Sequence, residues 1–147
     1  MARRPFAADT SVLVASLLTW HEHHEVALLA LEEASAGHPM FLPIPVLVES
    51  YAVMTRLPAP YRISPSDAHA LLRDNFKAAR IAGLSGAGCW KLLSDLSERG
   101  VAGGRTYDAQ IVAAAVQGSA ELLLTLNLAH FASLAPAGLE VRSPLAP

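Results

Sequence analysis

The sequence predicts an α/β domain: a central, mainly parallel sheet of about four to five short strands, with helices on both faces. Three observations carry this. Short apolar runs (PFAA, MFL, ELLLT) alternate with longer segments of helical periodicity. The run ELLLT is apolar without alternation, as strands buried on both faces of a parallel sheet are. Proline and glycine punctuate the chain where helices should begin or end.

In order, Phe6–Ala8 reads as a buried strand, and Asp9-Thr10-Ser11 caps an apolar helix ending near Thr19. Residues 22–36 keep their charges on one side, as a surface helix does, and stop at Gly37 and Pro39. Residues 40–42 form a second strand. Pro45 suits the first turn of a helix running to Leu57, before Pro58 and Pro60. Ser64-Pro65-Ser66 caps a helix over 65–79. Residues 81–83 are a third strand, followed by a helix over 86–99. GVAGG (100–104) is a loop, and Thr106 is read as the N-cap of a helix to Gln117. Residues 121–125 and 139–142 supply the last two strands, the latter at an edge. There is no internal repeat or low-complexity linker, so residues 1–147 are expected to form one domain, with its core over about 5–142 and a short proline-containing tail.

Composition narrows the function classes. The 147 residues are 52% hydrophobic, with a formal net charge of −2, so no excess of basic residues announces nucleic-acid binding. The single cysteine, Cys89, excludes an intramolecular disulfide framework and a cysteine-based zinc cluster, and fits a reducing cytoplasm. Cys89, Trp20 and Trp90 are expected in the core or at an interface. The opening arginines and apolar run resemble a secretory leader, but Asp9 interrupts the run; Asn127, His130 and Pro136 argue against a membrane span in the uncharged stretch 122–139. A soluble, cytoplasmic protein is expected.

The distribution of charge is more informative than its sum. Residues 5–21 contain one charged residue downstream of the opening arginines, Asp9; residues 43–55 contain only Glu49; residues 106–120 contain only Asp108. Burying a lone carboxylate costs several kcal/mol, roughly, unless a cation offsets it, and no lysine or arginine lies in these runs. A metal ion shared by the three acids would relieve them together. Each also has a simpler explanation. Asp9 can be a helix cap. Glu49 can pair with Arg56, although two turns of helix, about 10 Å, separate them. Asp108 can answer the dipole of a helix N-terminus. Asn127 follows ELLLT as Asp9 follows PFAA, at a strand's C-terminal end, where parallel sheets bind ligands; an ordinary turn asparagine would look the same. The cluster HEHHE (21–25) reads more simply as a solvated helix start than as a second metal site.

Taken in order, AADTSVLVA, PVLVESYAVM, GGRTYDAQIVAAA and LLTLNLAHF resemble the PIN-domain nucleases, and among them the VapC-type toxins of bacterial toxin–antitoxin pairs. The resemblance runs from about Phe6 to Phe131 and implies a three-layer α/β/α PIN-like fold. It implies a Mg2+-dependent (or Mn2+-dependent) endoribonuclease with catalytic Asp9, Glu49, Asp108 and Asn127. Asp9 and Asp108 would ligate the metal directly, and Glu49 directly or through water, with Thr10, Ser11 and Thr125 in support. Asn127 departs from the pattern, since many members have a fourth aspartate there. The implied partners are an RNA substrate, a cognate VapB-type antitoxin that plugs the site, with helix 21–36 offered as part of its groove, and a second copy in a homodimer. Arg105, Arg56 and the Arg3-Arg4 pair are candidate phosphate contacts. Two other classes stay open: a PIN-like protein-interaction module with little nuclease activity, and a phosphotransferase using Asp9 as nucleophile. The latter lacks a second acid close after the first, since Thr10-Ser11-Val12 supplies none.

Overall fold

The computed structural model describes residues 3–145; the last two residues of the proline-containing tail lie outside them. The elements are β1 (Phe6–Ala8), α1 (Thr10–Leu17), α2 (His24–Gly37), β2 (Met40–Pro43), α3 (Ile44–Thr55), α4 (Pro65–Phe76), β3 (Arg80–Ala82), α5 (Gly86–Arg99), α6 (Arg105–Gln117), β4 (Leu122–Leu124), α7 (Leu128–Ala132) and β5 (Glu140–Arg142). The sheet has five strands in the order β3-β2-β1-β4-β5, all pairs parallel.

Every residue of β1 and β4 is buried. Successive strand residues point to opposite faces, so helices must cover both sides of the sheet. They do so in two groups: α1 packs on α2 and α3, and α3 on α4; α5 packs on α6, and α6 on α7. The core centres on Phe6, Phe41, Leu42 and Leu123 with Leu13, Val46, Ile111 and Phe131 from the helices. Gly118 lets the end of α6 lie against β2, because a Cβ there would stand 2.6 Å from the buried Phe41 ring.

The direction in which strands are added to the sheet reverses between β1 and β4. From β1 the chain builds outward through β2 to β3; it then crosses back to β4 beside β1 and continues to β5. Ligand crevices of open parallel sheets form at such a reversal, beyond the strands' C-terminal ends. Asp9 follows β1 and Thr125 follows β4, and the Asp9 N–H donates to the Leu124 carbonyl at 3.0 Å.

Several expectations need correction. Helix α2 begins at His24, because residues 20–23 form a turn. Thr106 lies inside α6, whose N-cap is Gly104 and makes no side-chain capping bond. Helix α4 stops at Phe76, three residues early, and β3 starts one residue early at Arg80. Helix α7 was not anticipated. Cys89 and Trp90 are exposed on α5, which turns only Leu96 fully inward. Gly100, in the left-handed region at φ 67°, ends that helix. Trp20 is half-exposed. Among the described residues no helix is long and apolar enough to cross a membrane.

Candidate active site

A cavity of about 860 Å3 opens at the β1/β4 reversal, lined by Asp9, Thr10, Ser11, Glu49, Arg56, Asp108 and Asn127 together with His21, Glu22, His23, Tyr107 and Phe131. The predicted acids therefore share one cleft, but at different depths.

Asp9 forms its floor, 4% exposed. Its Oδ1 accepts from the Ser11 hydroxyl at 2.6 Å and the Val12 N–H at 3.1 Å; its Oδ2 accepts from the Thr125 hydroxyl at 2.7 Å. Asp9 is thus the N-cap of α1, as the simpler reading had it. Capping does not account for the charge, since serine or asparagine caps as well without burying an anion. Among the described residues Asp9 has no ion-pair partner. Burial pushes its carboxyl above the ordinary value; the bonds from Ser11, Thr125 and Val12 pull it back, and the charge of Asp108 pushes it up further.

Two hydroxyls couple this carboxylate to the strand across the reversal. Ser11 Oγ also accepts from the Leu126 N–H at 3.1 Å, and Thr125 Oγ1, fully buried, accepts from the Asn127 N–H at 2.9 Å. Thr125→Val keeps the shape but leaves Asp9 Oδ2 and the Asn127 N–H each without that partner. The expected loss is about 1–3 kcal/mol of stability, seen as a lower urea midpoint at unchanged slope.

Asp108, in the first turn of α6, is half-buried. Burial raises its carboxyl, and the nearby charges of His130 and Arg105 lower it in part. Glu49 is exposed, against the expectation that it points inward. The buried stripe of α3 is Val46, Ser50 and Met54. Ser50 can be inside because its hydroxyl donates to the Val46 carbonyl at 2.8 Å. Glu49, Val53 and Arg56 form the adjoining face, which lines the cleft. Among the described residues Glu49 and Arg56 form no ion pair. Asn127 is exposed at the rim.

The basic candidates divide. Arg56 lines the cleft. Arg105 does not; its guanidinium donates to Ser133 Oγ at 2.7 Å. Arg3 and Arg4 lie elsewhere, bonded to the carbonyls of Gly37, Ser119 and Ala120. What sequence reasoning missed is the wall contributed by His21, Glu22, His23 and Tyr107, since nothing local in HEHHE shows that its turn borders the cleft.

The donor set suits a hard cation. The acids and amide offer only oxygen ligands, and Thr10 Oγ1 is a buried hydroxyl with no hydrogen-bond partner among the described residues. Among the described residues no three His, Cys, Asp or Glu side chains stand close enough to enclose an ion. The three acids line one cleft. That arrangement fits Mg2+ or Mn2+, which binds through one or two carboxylates and retains water, and not a fully caged metal.

Comparison with known proteins identifies the family and the fold. Residues 7–135 match the PIN domain family. Ribonuclease VapC40 of Mycobacterium tuberculosis is 43% identical over 117 residues, covering 80% of this chain and 83% of that protein. Ribonuclease VapC27 of the same organism is 38% identical over 121 residues, covering 80% and 82%. Among solved structures, VapBC2 from Rickettsia felis bound to a promoter DNA fragment superposes with a TM-score of 0.68 at 17% identity, over 94% of this chain and 97% of that one. Mycobacterium tuberculosis VapC20, a sarcin–ricin loop cleaving toxin, gives 0.68 at 16% identity, over 87% and 94%. At such identities the superpositions speak for the fold; the sequence matches speak for the family. The chain belongs to the PIN-domain family and is of the VapC type.

Proposed function

We propose that this chain is a Mg2+- or Mn2+-dependent endoribonuclease and the toxin of a VapBC-type pair. The observation that carries the reading is the buried Asp9 carboxylate, without an ion-pair partner among the described residues, held by Ser11 and Thr125 at the sheet's reversal with Asp108 in the same cleft. Four carboxylates (Asp9, Glu22, Glu49, Asp108) line that cleft against one arginine. An RNA phosphate entering it is repelled unless a divalent cation is bound.

In this reading Asp9 and Asp108 hold the metal directly, and Glu49 reaches it through water. When bound, the metal supplies Lewis acidity: it favours ionisation of the attacking water and neutralises charge on the phosphate oxygens. Glu49 at the rim accepts the water's proton. Asn127 orients the water or a phosphate oxygen, and Arg56 contacts a flanking phosphate. Ser11 and Thr125 keep Asp9 aimed, with Thr10 beside them. Arg105 acts on Asp108 through its charge, since its donors are turned to Ser133.

The relatives named as VapC ribonucleases, and the solved VapBC assemblies, support an RNA substrate and a VapB-type antitoxin for this chain. A homodimer and a cytoplasmic location belong to the same reading. The test is cleavage of a defined RNA by the purified chain. Strand scission is expected with Mg2+ or Mn2+, and none in excess chelator, with new 5′ ends mapped by sequencing. Equal cleavage in chelator would exclude the mechanism. No cleavage with any divalent cation, together with retained partner binding, would leave a PIN-like protein-interaction module.

A further inference from the structure

The α1–α2 turn leaves a large aromatic surface half in solvent beside the cleft. Trp20 is 49% exposed and Tyr61 47% exposed, and their rings pack on each other at 4.6 Å, tilted by 40°. The series continues inward: Trp20 lies 6.2 Å from the His21 ring, and His21 lies 5.7 Å from His23. His21 and His23 line the cleft that holds Asp9 and Asp108. A series of neighbouring rings thus connects the exposed Trp20–Tyr61 pair to two histidines of the cleft wall.

The turn is held in shape. His21 N–H donates to the Leu18 carbonyl at 2.9 Å and His24 N–H to the His21 carbonyl at 3.0 Å. His21 Nδ1 takes the His23 N–H at 3.0 Å, and His24 Nδ1 bonds the Ala15 carbonyl at 2.9 Å. On the other side Tyr61 is fixed by its N–H to the Pro58 carbonyl at 2.9 Å, and Ile63 N–H holds the next residues to Met54. A rigid aromatic surface loses little entropy on binding. His21 Nδ1 and His24 Nδ1 are thus both engaged by backbone groups of α1 and the turn.

We infer that Trp20 and Tyr61 form a stacking shelf for an unpaired nucleobase of single-stranded RNA, next to the phosphate being cut. The inference rests on the ribonuclease reading of the cleft. Sequence-tolerant binding of single strands combines aromatic faces for bases with cations along the backbone. Here the aromatic faces run into the cleft, and Arg56 lines the same cleft, free of any ion pair among the described residues.

The shelf can be tested directly, because the chain has two tryptophans and the other, Trp90, is 75% exposed on α5. In an Asp9→Asn, Trp90→Phe background the RNA is not consumed and Trp20 is the sole tryptophan. Titration with a short oligoadenylate in Mg2+ should quench its fluorescence saturably, while an abasic strand of equal length should not. Trp20→Ala should weaken binding of labelled oligoadenylate by about tenfold, and Trp20→Phe should recover most of it. With Asp9 restored, Trp20→Ala should raise KM for RNA and leave kcat nearly unchanged. Unaltered affinity and KM in a folded Trp20→Ala protein, while the wild type cleaves RNA, would overturn the shelf alone. A wild type that neither cleaves nor binds RNA would overturn the ribonuclease reading along with it.

Discussion

Asp9→Asn is expected to lower RNA cleavage by more than the about 10- to 100-fold that loss of a metal ligand's outer partner costs, in a protein that still folds. Asparagine preserves the cap to Val12 and the acceptor for Ser11, so α1 keeps its start. What disappears is the negative charge on the cleft floor. Stability should carry a matching pH signature. In the folded chain the Asp9 carboxyl is raised above its ordinary 3.8. The native state therefore holds this proton where the unfolded chain has released it. That contribution to stability is fully present below the ordinary value and is lost as pH rises through the folded one. Asparagine has no such titration. Without divalent cations, the wild type should therefore gain stability relative to Asp9→Asn as pH falls from neutrality toward 4, roughly the ordinary carboxylate range. The amide also turns a donor toward Thr125, which shifts the difference by a constant and leaves its slope alone. Urea midpoints of both proteins across that range check the claim. A wild type that loses ground to the variant on acidification would show that the carboxylate is not strained by burial.

Phe131→Ala should destabilise the fold by about 3–5 kcal/mol, or roughly 10 °C in melting temperature for a chain of this size. Phe131 is 2% exposed, belongs to the main core and also lines the cleft, so its ring joins the packing of α7 to the wall beside Asp108 and Asn127. Calorimetric melting of the variant checks it; a loss below about 1 kcal/mol would mean that α7 is not packed as described.

Helix α7 was also the element least visible in the sequence. It has only five residues, and Asn127 at its start makes no side-chain capping bond, so neither periodicity nor a cap announces it. The sheet was far more legible. Buried strands on both sides of the reversal are apolar at every position, and the glycines and prolines between helices mark real boundaries. Asp9 stood out for a physical reason that survived: an acid in an apolar run is buried and lacks a cation. Glu49 stood out for the same reason, yet is exposed. Ser50, the polar residue beside it, is the one inside, satisfied by its own helix. Spacing along α3 could not distinguish the core-facing stripe from the cleft-facing one, because the cleft wall is itself partly apolar. Trp20, too, is not in the core that its hydrophobicity suggests but half-exposed on the α1–α2 turn.

The proposed mechanism requires that Asp9 and Asp108 hold one hard cation in place of a basic partner. Calorimetric titration of Mn2+ into the wild type, Asp9→Asn and Asp108→Asn measures this without any assumption about the RNA. The account predicts a saturable site in the wild type, weakened by at least about tenfold in each variant. Mn2+ binding of equal affinity in all three proteins, or none in the wild type, would contradict it.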